Sequence, residues 1–339
     1  MLYIYIMMML FTIIGIVICS YVVVLLIGGI CYLWVNVHFW KKDKCYSGKH
    51  VFIFGASSGL GQAVALRLAK QGNVKISIAS RSEEKLKLTK ELCEKNKGND
   101  NNTVIDYYCC DVTDAVQIKN TLLKAINKFT FPDLIINCAG IAHPGFIENI
   151  TYQLYEKDMN LNYFGALRVL KESKQLYNEN ATTKKIEIVC VGSVLGLIGS
   201  IGYSAYAPTK YALKGLVDSL RFEYLNTGIE LHYFAPSNMD TPGFEIENKD
   251  KPQLVRDMED NVKTVSADYA AHCLLSGLNL NKYVITTEAD LELLKNAQSF
   301  MNEHSVLDFL MGMLGMVGVW LTRIGIEKNI VNKRKSKVD

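Results

Sequence analysis

The passage from Val51 to Lys70 limits what this chain can become more than any other. A short apolar run, Val51 to Phe54, meets Gly55-Ala-Ser57-Ser58-Gly59-Leu-Gly61, and a helical pattern from Gln62 to Lys70 follows at once. Strand, glycine turn and helix start in that order make a phosphate cradle, because glycine lets the backbone come close to an anion and a helix N-terminus attracts negative charge. A glycine turn with purely structural duty has the same look in isolation, so the surrounding chain has to decide.

Other strand-like runs follow at Val74 to Ala79, Val104 to Cys109, Leu134 to Asn137, Ile186 to Val191 and Ile229 to Ala235, with Tyr283 to Thr287 as a candidate edge strand and Ala267 to Leu275 helical. The fifth run leads through Gly192-Ser193 and a glycine-rich loop into a helical pattern from Tyr206 to Tyr224. Tyr206 and Lys210 then share one helix face. A phenol of pKa about 10 is a poor acid–base group at neutral pH, and an ammonium one turn away is expected to favour the phenolate and lower that pKa. Ser193 is placed to hold a carbonyl oxygen from the other side.

Ser193 at a strand end, then Tyr206-x-x-x-Lys210 about a dozen residues on, resembles the short-chain dehydrogenase/reductase family. Its G-x-x-x-G-x-G spacing at Gly55, Gly59 and Gly61 matches that family's form, and Asn137-Cys138-Ala139-Gly140 is similar to its Asn-Asn-Ala-Gly motif, with a cysteine at the second place. The resemblance covers roughly residues 48 to 290. It implies a Rossmann-type α/β fold, a doubly wound parallel sheet with helices on both faces. It implies catalytic roles for Ser193, Tyr206 and Lys210, with Asn162 holding a water near the lysine, and a diphosphate on the turn carrying Gly55, Ser57, Ser58, Gly59 and Gly61. Asp111 is expected at the adenine, Asn137, Ala139 and Gly140 near the ribose, and Pro236 and Thr241 over the nicotinamide. Arg81, with Lys85 one turn on, stands where an NAD enzyme has an acidic residue, which argues for NADPH. Pro208 departs from many relatives, but proline is tolerated in a helix's first turn.

The ends of the chain read differently. Met1 to Trp40 carries no Lys, Arg, Asp or Glu and is long enough to span a bilayer; Lys41, Lys42 and Lys44 follow. That flank predicts a transmembrane anchor over residues 1–40 and a cytosolic domain over 48–300. A second apolar run lies within 303–325, short for a full span, and is expected to be membrane-associated or re-entrant. Residues 326–339 form a basic tail with lysines three and five places from its end, similar to the dilysine retrieval signal of endoplasmic-reticulum membrane proteins. The net charge of +3 is too small to argue for nucleic acid, and nine cysteines without metal-ligand spacing read as free thiols with no metal site.

The anchor and the apolar C-terminal segment imply a lipid substrate taken from the membrane, and the topology puts the site in the cytosol with NADPH. Within the family, Leu197 to Tyr203, Tyr211 to Leu216 and Asp240 to Pro252 look like segments of reductases acting on long-chain keto-sphingoid bases. A steroid, a retinoid or a 3-ketoacyl lipid is the alternative substrate, and a non-catalytic cofactor-binding scaffold the alternative class. Homodimerisation through the helix carrying Tyr206 is usual in the family. The polar stretch from Glu245 to Val265 fits either a mobile lid over the substrate or a plain surface loop.

Overall fold

A computed structural model describes residues 42–97, 102–180, 183–259 and 262–288, with scattered positions between 9 and 29. Within the unit Lys42–Glu288, seven parallel strands form one sheet in the order β3-β2-β1-β4-β5-β6-β9. The first six are β1 (His50–Phe54), β2 (Lys75–Ser80), β3 (Val104–Cys109), β4 (Leu134–Asn137), β5 (Ile186–Val191) and β6 (Ile229–Ala235), and β9 is Val284–Thr286. Order reverses between β1 and β4, the switch point at which open α/β sheets place their ligands.

The central strands are largely apolar because helices cover both faces. Every residue of β1, β4 and β5 is buried. Phe52, Ile53 and Phe54 are fully inaccessible, and each contributes roughly 1.5–3 kcal/mol by leaving water. The connecting helices are α1 (Gly59–Gln71), α2 (Glu83–Asn96), α3 (Ala115–Lys128), α4 (Tyr152–Met159), α5 (Gly165–Glu179), α6 (Ala207–Glu223) and α9 (Ala267–Asn279). Helix α1 buries Leu60, Val64 and Leu68 and packs against α9. Between α4 and α5 the backbone widens into a π turn, Asn160–Phe164.

The polar stretch from Glu245 onward is ordered into helices. Thr241 caps α7 (Pro242–Asp250) by accepting from Phe244 N at 3.2 Å, and α8 (Gln253–Glu259) follows. A two-residue parallel pair, β7 (Met239–Asp240) with β8 (Val265–Ser266), closes the excursion.

At the N-terminal edge of the sheet, Glu187 on β5 receives Lys44 Nζ at 2.7 Å and the Tyr46 hydroxyl at 2.9 Å, and His232 Nε2 lies 3.4 Å away. Burial alone would raise this carboxyl, but His232 and Lys44 outweigh it and hold it at about 2. The cluster ties the segment before β1 to the sheet. Among the described residues no helix is long and apolar enough to cross a membrane. Most of the expected 1–40 anchor, and all of the 303–325 segment and the 326–339 tail, lie outside the described residues. The seven described cysteines are free thiols, with Cys45 and Cys109 exposed.

Candidate active site

The glycine turn is built backbone on backbone. Gly55 has φ +76°, and a Cβ there would stand 2.6 Å from the Ala139 nitrogen; one on Gly61 would stand 2.5 Å from the Gly55 oxygen. Only glycine fits, and the fit presses the turn against the Asn137 to Gly140 segment that ends β4. Ser58 caps α1 with an extended backbone and no side-chain cap bond, so no side chain claims the first-turn N–H groups. Ser57 sits partly exposed in the same turn. The Thr241 methyl comes within 3.1 Å of where a Gly59 Cβ would lie, and the Pro236 carbonyl accepts from Val194 N at 3.0 Å. The segment after β6 therefore folds over the turn and onto the serine loop together.

At the end of β2, the Ser80 hydroxyl is buried with no partner. Arg81 and Lys85 are exposed, and neither side chain has an ion-pair partner among the described residues. Asp111 spends one carboxylate oxygen on Thr113, accepting from its N at 2.9 Å and its hydroxyl at 2.8 Å. Asn137 is buried and accepts from Ala139 N at 3.3 Å.

On the other side of β4 the reactive groups converge. Ser193 follows β5 in extended backbone and caps the 3-10 turn Val194–Gly196, while its hydroxyl reaches the Tyr206 phenol. Tyr206 is the N-cap of α6, with Pro208 exposed in the first turn and the helix unbroken for 17 residues, so the proline leaves the Tyr/Lys face intact. Lys210 is 3% exposed, donates from Nζ to the Val191 carbonyl at 3.0 Å and stands 5.5 Å from the centre of the Tyr206 ring.

Burial dominates both groups. It pulls Lys210 down to about 8, against weaker upward pulls from Cys190, Asp158 and Cys138. It pushes the Tyr206 phenol up, with Glu247 adding to the rise. The expectation that Lys210 would lower Tyr206 is therefore corrected: burial, Glu247 and Asp158 raise the phenol, and the Ser193 hydroxyl is what pulls against them. The raised Tyr206 phenol keeps its proton at neutral pH.

Asn162 lies in the π turn, 1% exposed. Its Oδ1 accepts from Ile141 N at 2.9 Å, and its Nδ2 donates to the Ile141 carbonyl at 2.9 Å and to Thr209 Oγ1 at 3.0 Å. The side chain thus braces the strand-β4 extension against α6. A Cβ on Gly140 would meet both Asn162 Oδ1, at 3.3 Å, and Lys210 Nζ, at 3.4 Å. Among groups that spacing does not reveal, the Tyr203 hydroxyl sits between two carboxylates, 2.6 Å from Glu247 and 2.9 Å from Glu259, and its ring centre is 6.2 Å from that of Tyr206. His143 Nδ1 lies 2.5 Å from the fully buried Asp158.

Comparison with known proteins agrees with this geometry. Residues 49–252 match the family described as short chain dehydrogenase. A protein of Dictyostelium discoideum named 3-ketodihydrosphingosine reductase is 35% identical over 76% of this chain and 81% of its own. A protein of Cryptococcus neoformans with the same activity in its name is 31% identical over 89% of this chain and 90% of its own. The crystal structure of levodione reductase superposes with a TM-score of 0.64 at 23% identity, covering 73% of this chain and 98% of that one, which shows the shared fold. With the glycine turn, the seven-stranded parallel sheet and the serine, tyrosine and lysine in place, this chain belongs to the short-chain dehydrogenase/reductase family of oxidoreductases.

Proposed function

We propose that this protein is an NADPH-dependent reductase that converts 3-ketodihydrosphingosine to dihydrosphingosine in sphingolipid synthesis. The observation that carries the reading is the convergence of Ser193, Tyr206 and a buried Lys210 beside the glycine cradle, in a chain 35% identical to a protein named for that reaction.

A nicotinamide dinucleotide suits the residues present. The turn at Gly55 and Gly61 leaves no room for a Cβ, α1 offers N–H groups that no side chain caps, and Ser80 holds a buried hydroxyl in want of a partner. Arg81 and Lys85 add two exposed cations beside it, which favours the form carrying a 2′-phosphate. Asp111, Asn137, Ala139, Gly140, Pro236 and Thr241 would line the rest of its bed. When bound, that group supplies hydride to the carbonyl carbon.

The chain does the rest. Ser193 and Tyr206 hold the carbonyl oxygen between two hydroxyls. As negative charge develops there, Tyr206 transfers its proton to the oxygen and is left as phenolate. The Lys210 ammonium stabilises that phenolate in a site where burial has removed water. Asn162, tied to Ile141 and Thr209, keeps α6 and its lysine in register.

The substrate is a membrane lipid, and the apolar 1–40 segment, its lysine flank and the basic tail support a place on the endoplasmic-reticulum membrane with the site facing the cytosol. The test is oxidation of NADPH by the detergent-solubilised full chain with 3-ketodihydrosphingosine, with NADH as alternative cofactor and a 3-ketosteroid and retinal as alternative substrates. Turnover of the sphingoid ketone, at least about tenfold weaker with NADH, is the expected result. Turnover of the steroid or retinal alone overturns the substrate and leaves the catalytic groups standing.

A further inference from the structure

A cavity of about 290 Å³ opens between the segment after β4 and the corner joining α7 to α8, lined by His143, Asn149, Ile150, Leu154, Asp250 and Pro252 among others. Gly145, also in its wall, pairs with Tyr203, three residues before Tyr206. The lining is part apolar and part acidic. Ile150, Leu154 and Pro252 offer hydrocarbon, while His143 and Asp250 offer polar atoms.

The charges around it are unbalanced. Asp250 is exposed to the cavity and has no hydrogen-bond or ion-pair partner among the described residues. Asp158, fully buried, has His143 as its partner. Behind Asp250, Lys251 is one cation for two carboxylates, at 3.3 Å from Glu247 and 2.6 Å from Glu259. The Arg256 guanidinium turns to the backbone carbonyls of Lys249 and Lys251 and not to a carboxylate. His143 Nδ1 is held 2.5 Å from the Asp158 carboxylate, which leaves Nε2 as the ring nitrogen that no described residue claims. An unpaired carboxylate beside apolar side chains suits a primary ammonium on a hydrocarbon chain.

We infer that this cavity is a head-group site that selects a primary aliphatic ammonium, with Asp250 as its counter-charge and His143 as a polar wall beside it. The inference rests on the proposed function for the identity of the substrate, whose amine sits on the carbon next to the reacting carbonyl. It goes beyond that function in naming the residues that tell an amino ketone from a neutral one.

Two measurements on the full chain in detergent, loaded with NADPH, test it. The first is kcat/KM for 3-ketodihydrosphingosine against its N-acetyl derivative, whose nitrogen is uncharged. The second is thermal stabilisation by dodecylamine against N-acetyldodecylamine, which needs no turnover. Wild type is expected to favour the amine at least about tenfold in both, through KM in the first. Asp250→Asn and His143→Gln should each bring the ratios towards one, while Glu245→Gln, an exposed neighbour on α7, leaves them unchanged. Equal treatment of amine and amide by wild type, or ratios that survive Asp250→Asn, would overturn the inference even if the sphingoid ketone is reduced. Amine-selective stabilisation without turnover of the sphingoid ketone would keep the head-group site and remove the proposed substrate.

Discussion

Two buried charges sit at opposite ends of strand β5, and the protein treats them in opposite ways. At the N-terminal end, Glu187 is surrounded by Lys44, Tyr46 and His232 and held at about 2. At the C-terminal end, Lys210 lies against the Val191 carbonyl and falls to about 8. Burial is compensated in one case and left largely uncompensated in the other. A compensated charge holds structure, because removing one partner strands the rest. An uncompensated one destabilises the fold but titrates near working pH, which is what proton transfer needs.

The comparison breaks most visibly at Tyr206. Tyr206→Phe removes the proposed proton donor and should lower kcat/KM by about 10²- to 10⁴-fold with the unfolding temperature unchanged within a degree or two, read by NADPH oxidation and thermal melts. At the other end, Glu187→Ala strands Lys44 and His232 and should cost about 3–5 kcal/mol in urea unfolding, with activity per folded molecule retained. The carboxyl is depressed in the folded state, so its stabilisation is present above about 4.5 and is lost as pH falls towards about 2.

Lys210→Met should do the reverse. A lysine depressed to about 8 binds fewer protons folded than unfolded, so wild-type stability rises with pH between about 8 and 10.5. Replacing it should gain of order 1–3 kcal/mol at pH 7 while abolishing turnover; a loss of stability there would mean that Lys210 is a structural charge like Glu187. The smallest effect belongs to Arg81, exposed at the end of β2. Arg81→Ala should raise KM for NADPH about tenfold and leave NADH unaffected, the scale of one charge-assisted contact in partial solvent.

How much of this was legible before the structure follows from range. Strands β3, β5 and β6 run from Val104 to Cys109, Ile186 to Val191 and Ile229 to Ala235 as the sequence leads one to expect, because β-branched, aromatic and other apolar residues make up most of each. Helix α7 buries none of its own residues, so it carries no apolar stripe to read. It is set by the Thr241 cap and by Lys251 reaching Glu247 and Glu259. Ser193, Tyr206 and Lys210 showed themselves through spacing within one loop and helix. Tyr203 with Glu247 and Glu259, 44 and 56 residues apart, did not. The direction of the Tyr206 shift is hidden for a related reason: spacing places an ammonium near a phenol, but only the packed fold brings Glu247 and the surrounding burial to bear on it.

The most direct measurement is the pH dependence of kcat with a saturating, uncharged long-chain ketone, chosen so that only the enzyme titrates. Lys210 must carry its charge to stabilise the Tyr206 phenolate, so activity should fall by about tenfold per pH unit once pH passes about 8. A rate that stays flat to pH 10 would contradict the account, because it would mean that the buried lysine keeps its proton or that its charge plays no part in the reaction.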